Sequence, residues 1–146
     1  MAREILFKAK RKDNGEWVEG YLFKQFHQES PHDRFSIQYK TRNDEKKWKP
    51  KYMAVEIDES TICQYTGLTD KNGNKIWEND VVKVESDVIG SPFGCGMIGK
   101  IEYSECAFWV VPNNILETTH LFADDCAEIE VIGNIFDNPE LLGGGE

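Results

Sequence analysis

The chain has no apolar run approaching the roughly 20 residues that a membrane-spanning helix needs. Its beginning, MAREILFKAKRKDNGEW, has neither a long apolar stretch nor a small-residue cleavage site, so a cytoplasmic location without membrane contact is expected. Cysteine is sparse. Cys63, Cys95, Cys106 and Cys126 form no CxxC pair and no dense framework, which argues against zinc ribbons and disulfide scaffolds and for reduced, buried thiols. No segment carries an amphipathic pattern over three or more helical turns, which excludes helix bundles. Positive charge is scarce beyond residue 51: residues 52–146 hold 4 Lys and Arg against 18 Asp and Glu, whereas residues 1–51 hold 13 against 8. The second part would repel a phosphate backbone, because nucleic-acid affinity rests on clustered cations.

What is present is a series of short alternating segments. REILFK and EWVEGYLF flank Asp13-Asn14-Gly15, a β-hairpin pattern in which Asn-Gly supplies the positive φ angles of a tight turn. RFSIQYK, residues 34–40, places Phe35, Ile37 and Tyr39 on one face. MAVEID, STICQY, DVVKVESD, MIGKIEYS, CAFWVVPN and EIEVIGNIF read as further strands, MIGKIEYS and CAFWVVPN forming a second hairpin joined near Ser104-Glu105 and Gly133 marking a bulge or a close approach in the last. CAFWVV is β-branched and aromatic enough to predict a central, buried strand, and Trp17, Trp77 and Trp109 are read as core residues. Asp137-Asn138-Pro139 starts one helical turn, and GGGE at 143–146 is a frayed tail. The class is mainly β with little helix: one unit of 146 residues, with an N-terminal β-hairpin and sheet region over 1–55 and a second region over 56–142 as its subdivision.

Three separated stretches, RKDNGEWVEGYL, TICQYTGLTDKNGNKIWENDVVKV and VIGNIFDNPELL, resemble in order and spacing the YopX family of small proteins encoded by phages and prophages. The resemblance implies a β-rich fold with an SH3-like barrel in the C-terminal part, and a phage accessory role in the bacterial host cell. It carries no catalytic residues. Where the family pattern reads Glu-Gly-Asp, this chain has Glu78-Asn79-Asp80. Asn tolerates the left-handed backbone best among non-glycine residues, so position 79 is expected to be a turn residue with positive φ.

The candidate chemistry fails on spacing. Asp70, Asn72 and Asn74 begin like a calcium loop, yet position 76 is Ile, Glu78 comes too early for the closing bidentate Glu, and Val81 stands where that Glu belongs. GSPFGCGMIGK lacks the GxxxxGK[ST] order and is followed by strand-like residues, so it is no phosphate loop. His27 and His32 lie in a polar loop, and His120 has no flanking signature of a nucleophile pair with Cys106 or Cys126. No catalytic residue, metal set or cofactor is therefore expected, and Gly67, Asn72, Gly73, Glu78, Asn79 and Asp80 are read as a structural turn signature. The leading expectation is a non-enzymatic, self-associating interaction module that binds a phage or host protein, its basic N-terminal region complementing the acidic remainder. The alternative is a nucleic-acid-binding module using Lys46, Lys47, Trp48, Lys49 and Lys51, where an aromatic ring stands among cations.

Overall fold

The computed structural model describes residues 4–25, 34–40, 52–113, 115–121 and 127–143. The chain divides into two compact units, Met1–Tyr65 and Thr66–Glu146. The division falls later than the 55/56 boundary read from the sequence. Residues 57–65 are tied backward: Ile57 bridges to Arg11, the Asp58 N–H donates to the Lys10 carbonyl at 2.8 Å, and the Tyr65 N–H donates to the Leu6 carbonyl at 2.9 Å.

The first unit is built on β1 (Phe7–Lys10), β2 (Trp17–Gln25), β3 (Arg34–Lys40), β4 (Tyr52–Glu56) and the start of β5 (Cys63–Thr69). All pair antiparallel. The sheet runs in the order β4-β3-β2-β1-β5, with β6 (Lys75–Trp77) beside the later part of β5. The β1–β2 connection is longer than a two-residue Asn-Gly turn. Gly15, at φ 72, donates its N–H to the Arg11 carbonyl at 2.9 Å, and Arg11 clamps Asp13 through two hydrogen bonds of 2.9 and 2.7 Å. Alternation then puts Ala9, Val18, Ile37 and Ile57 into one buried cluster, with Phe35 and Tyr39 packed against it. Gly20 is required there, since a Cβ would run into the Gln38 carbonyl of β3.

Trp17 lies on the opposite face and is half-buried, not core: Lys10 is its ladder partner, and the ammonium groups of Lys8 and Lys10 stand 4.7 and 5.5 Å from its ring centre. A short 3-10 turn over Glu59–Thr61 occupies the bend expected at Ser60 and Thr61. Asp58 caps it by accepting the Ser60 N–H at 3.0 Å.

The second unit holds β7 (Asp80–Glu85), β8 (Met97–Ser104), β9 (Ala107–Val111), β10 (Thr119–His120) and β11 (Glu128–Asn134), in the order β10-β9-β8-β7-β11. It is a meander whose last strand returns beside the first. No hydrogen-bonded closure joins its edges among the described residues, so the fold is mainly β, in two open antiparallel sheets. Among the described residues, helix is limited to 3-10 turns and the four-residue α1 (Glu140–Gly143).

Ile76, Val82, Val84, Phe93, Ile101 and Val110 form the heart of its core. Fully burying each such side chain contributes about 1.5–3 kcal/mol. The Phe93 ring is fully buried and anchors the glycine-bearing loop that leads into β8. Gly99 is packed so closely on β9 that a Cβ would lie 2.8 Å from the Val111 carbonyl carbon. Trp109 is half-buried on the face away from Phe108 and Val110, a second correction to the core reading. The cysteines differ likewise: Cys63 is buried, but Cys95 and Cys106 are free and exposed.

Candidate functional site

Residues 66–82 and 129–138 build one polar corner in the second unit. It starts with Thr66, whose hydroxyl donates to the Ile76 carbonyl at 2.7 Å and accepts the Leu68 N–H at 3.2 Å, fixing the spacing of β5 and β6. Gly67 and Gly73, at φ 88 and 82, supply the left-handed steps that a side chain would strain. Between them Asp70 is buried. One carboxylate oxygen accepts the N–H groups of Asn72 and Asn74 at 2.9 and 2.8 Å; the other accepts the Asn74 amide at 3.3 Å and the Val131 N–H at 3.0 Å.

That set uses the roughly four lone-pair directions a carboxylate has. Burial pushes the Asp70 carboxyl up, but the N–H donors of Val131 and Asn74, the Asn74 amide and the Asn72 N–H outweigh it and hold the group below the usual carboxylate range. An oxygen so engaged has no direction left for a cation or a substrate proton. Asp70 joins a turn to a strand 61 residues onward, and the Lys71 N–H adds a bond to the Ile129 carbonyl at 2.9 Å.

The Glu78-Asn79-Asp80 turn meets the same strand at its far end. Asn79 has φ 68; its N–H donates to the Ile101 carbonyl at 2.8 Å, and its carbonyl accepts the Ile135 N–H at 3.0 Å. The buried Asp80 accepts the Trp77 N–H at 2.9 Å, closing the turn that launches β7. Opposite it, the Asn134 side chain accepts the N–H groups of Phe136 and Asp137 at 3.0 and 2.9 Å. The β11–β7 register shifts between Val131 and Gly133, where the bulge was expected. The corner is thus a set of hydrogen-bonded backbone and carboxylate groups that tie the turns at residues 70–74 and 78–80 to β11.

The turn-signature residues Gly67, Asn72, Gly73, Glu78, Asn79 and Asp80 lie along this one stretch. Lys46, Lys47, Trp48, Lys49 and Lys51 lie outside the described residues, as do His27, His32 and Cys126. His120 stacks on Trp109, with ring centres 3.7 Å apart. No group of three or more His, Cys, Asp or Glu side chains placed to hold a metal occurs among the described residues. None of their helices is long and apolar enough to cross a membrane.

The second hairpin, expected to be joined near Ser104-Glu105, turns one residue later. The β8–β9 hairpin closes through Glu105 and Cys106, both with positive φ, 49 and 63. The signal was the two-residue connection between MIGKIEYS and AFWVV, but Glu-Cys lacks the Asn or Gly that such turns normally carry.

The YopX family, described as YopX protein, matches residues 6–143. No curated protein matches. Among solved structures, the X-ray crystal structure of protein yopX from Bacillus subtilis is similar, with a TM-score of 0.55 and 17% sequence identity over 97% of this chain and 99% of that one. At that identity the likeness concerns the fold, and its two-sided coverage agrees with the family match. With the match extending over nearly all the residues, the chain belongs to the YopX family.

Proposed function

We propose that this protein is a non-enzymatic interaction module of phage or prophage origin, acting in the cytoplasm of the bacterial host, that self-associates and binds a phage or host protein. The observation that carries this reading is strand β4. It is the outer strand of its sheet among the described residues, it has no proline or bulge of its own, and it leaves Tyr52 and Met53 49% and 43% exposed. An edge strand with exposed apolar side chains is a template for another strand, and proteins that stay monomeric usually blunt such an edge with charge. The four hydrogen bonds that engage the Asp70 carboxylate support a non-catalytic role. The finer reading of the second unit as an SH3-like barrel is supported by its strand order, a four-strand meander with the fifth strand returning beside the first.

Light scattering during chromatography tests self-association. A molar mass above the 16.8 kDa of one chain is expected, falling to that value in Met53→Lys. A mass of one chain at both low and high salt would dispose of the reading.

A second reading, nucleic-acid binding through Lys46 to Lys51 and Trp48, is favoured by the outer face of the first sheet, where Lys8 and Lys10 flank Trp17 and Tyr21 is exposed. Rings among cations suit unpaired bases. Binding to single-stranded DNA or RNA should then weaken steeply with salt and on Trp48→Ala, and the absence of any low-salt shift would exclude it.

A further inference from the structure

The second unit carries a cleft of about 270 Å³ on the outer face of β8 and β9, lined by Glu102, Ser104, Glu105, Trp109, Val111 and Thr118. That volume lies below the range of drug-sized ligand sites, and suits a single side chain. Its one large apolar surface is the half-buried indole of Trp109, which two contacts hold in place. The Nε1–H donates to the Ser104 carbonyl at 2.9 Å, and the ring stacks on His120 at 3.7 Å. A ring so fixed loses little freedom when something settles on it.

The two ionisable groups lining the cleft are both carboxylates. Glu102 is the ladder partner of Trp109, and Glu105 projects from the strained hairpin turn beside it. Lys100 approaches Glu102 at 3.5 Å, a long, half-exposed pair that leaves the carboxylate with accepting capacity. The surroundings have the same sign: residues 66–146 hold 4 Lys and Arg against 15 Asp and Glu. An aromatic face, two carboxylates and a negative field together select a cation with a flat or apolar body.

We propose that the cleft beside Trp109 is a receptor for a cationic side chain, arginine in preference to lysine, carried on a partner polypeptide. A planar guanidinium stacks on an indole while its edge donates to carboxylates; an ammonium can do only one of these well. The proposal deepens the protein-partner reading and rests on it for the source of the cation. It is independent of self-association, which molar mass reports separately, so either can fail alone.

The test follows the indole N–H signal of Trp109 by NMR while a capped Gly-Gly-Arg-Gly-Gly peptide, or its norleucine counterpart, is titrated into the full chain. The signal is assigned from its loss in Trp109→Phe. The arginine peptide should shift it saturably and the norleucine peptide should not. The pair Glu102→Gln with Glu105→Gln should raise the dissociation constant about tenfold, and the remote pair Glu128→Gln with Glu130→Gln on β11 by less than about twofold. Both replacements are isosteric, and the remaining indole signals report that the fold is kept. No saturable shift up to about 10 mM peptide, equal shifts from norleucine, or equal weakening in both pairs would overturn the proposal.

Discussion

Asn79 holds a left-handed backbone, at φ 68, while its N–H and carbonyl bond to Ile101 and Ile135. That conformation costs an ordinary L-residue about 1–2 kcal/mol, and a β-branched one more. If position 79 is a backbone demand, Asn79→Gly should change stability by less than about 0.5 kcal/mol, whereas Asn79→Val should cost about 2 kcal/mol or more. Urea midpoints measure both. A glycine variant as damaged as the valine one would move the role to the side chain. The turn chemistry here was legible because Asn in place of Gly has one dominant physical reason. Trp109 was not legible in the same way: a ring in an apolar run reads as core by composition, but alternation with Phe108 and Val110 sends it to the other face. Being central in a sheet's order buries a strand's edges and leaves its second face open.

Among the elements, the β8–β9 hairpin stores strain that a better turn sequence would relieve. A two-residue connection with both φ angles positive favours Asn-Gly, and this chain spends Glu105 and Cys106 there. The double variant Glu105→Asn with Cys106→Gly should stabilise the protein by about 1–2 kcal/mol, a rise of roughly 2–6 °C in melting temperature for a chain of this size. Differential scanning calorimetry checks it; an unchanged or lowered temperature would mean that neighbouring contacts offset the strain. Strand positions such as Met97–Ser104 could be read from the sequence because one face packs and the other does not, which imprints a period of two. The loop over 86–96 gave no such imprint. Its order comes from Phe93, a lone anchor between glycines that carries no periodicity.

On the scale of the whole molecule, folding stability is tied to pH through carboxylates that the fold holds charged. Asp70 resists protonation because the donors around it outweigh the cost of its burial. Asp58 does so through the Ser60 hydroxyl and N–H, and Asp13 through Arg11. A carboxylate with a lowered folded pKa contributes stability that is complete above its unfolded value, about 3.9, and is lost as pH falls through the folded value. Urea midpoints should therefore hold steady from pH 7 to about 5 and fall below about 4. Asp70→Asn should cost about 2 kcal/mol at pH 7 and flatten the acid limb. An acid limb as steep in the variant as in the parent would shift the effect to other groups. The division after Tyr65 and the corner itself depend on pairings between distant residues, which local pattern does not encode; that is why the sequence placed the strands better than their partners. The bond from Asp70 to Val131 also has a meaning in time. During synthesis the ribosome delivers Asp70 long before the strand that supplies the last of its four hydrogen bonds, so the second unit completes its corner only when the last part of the chain has emerged.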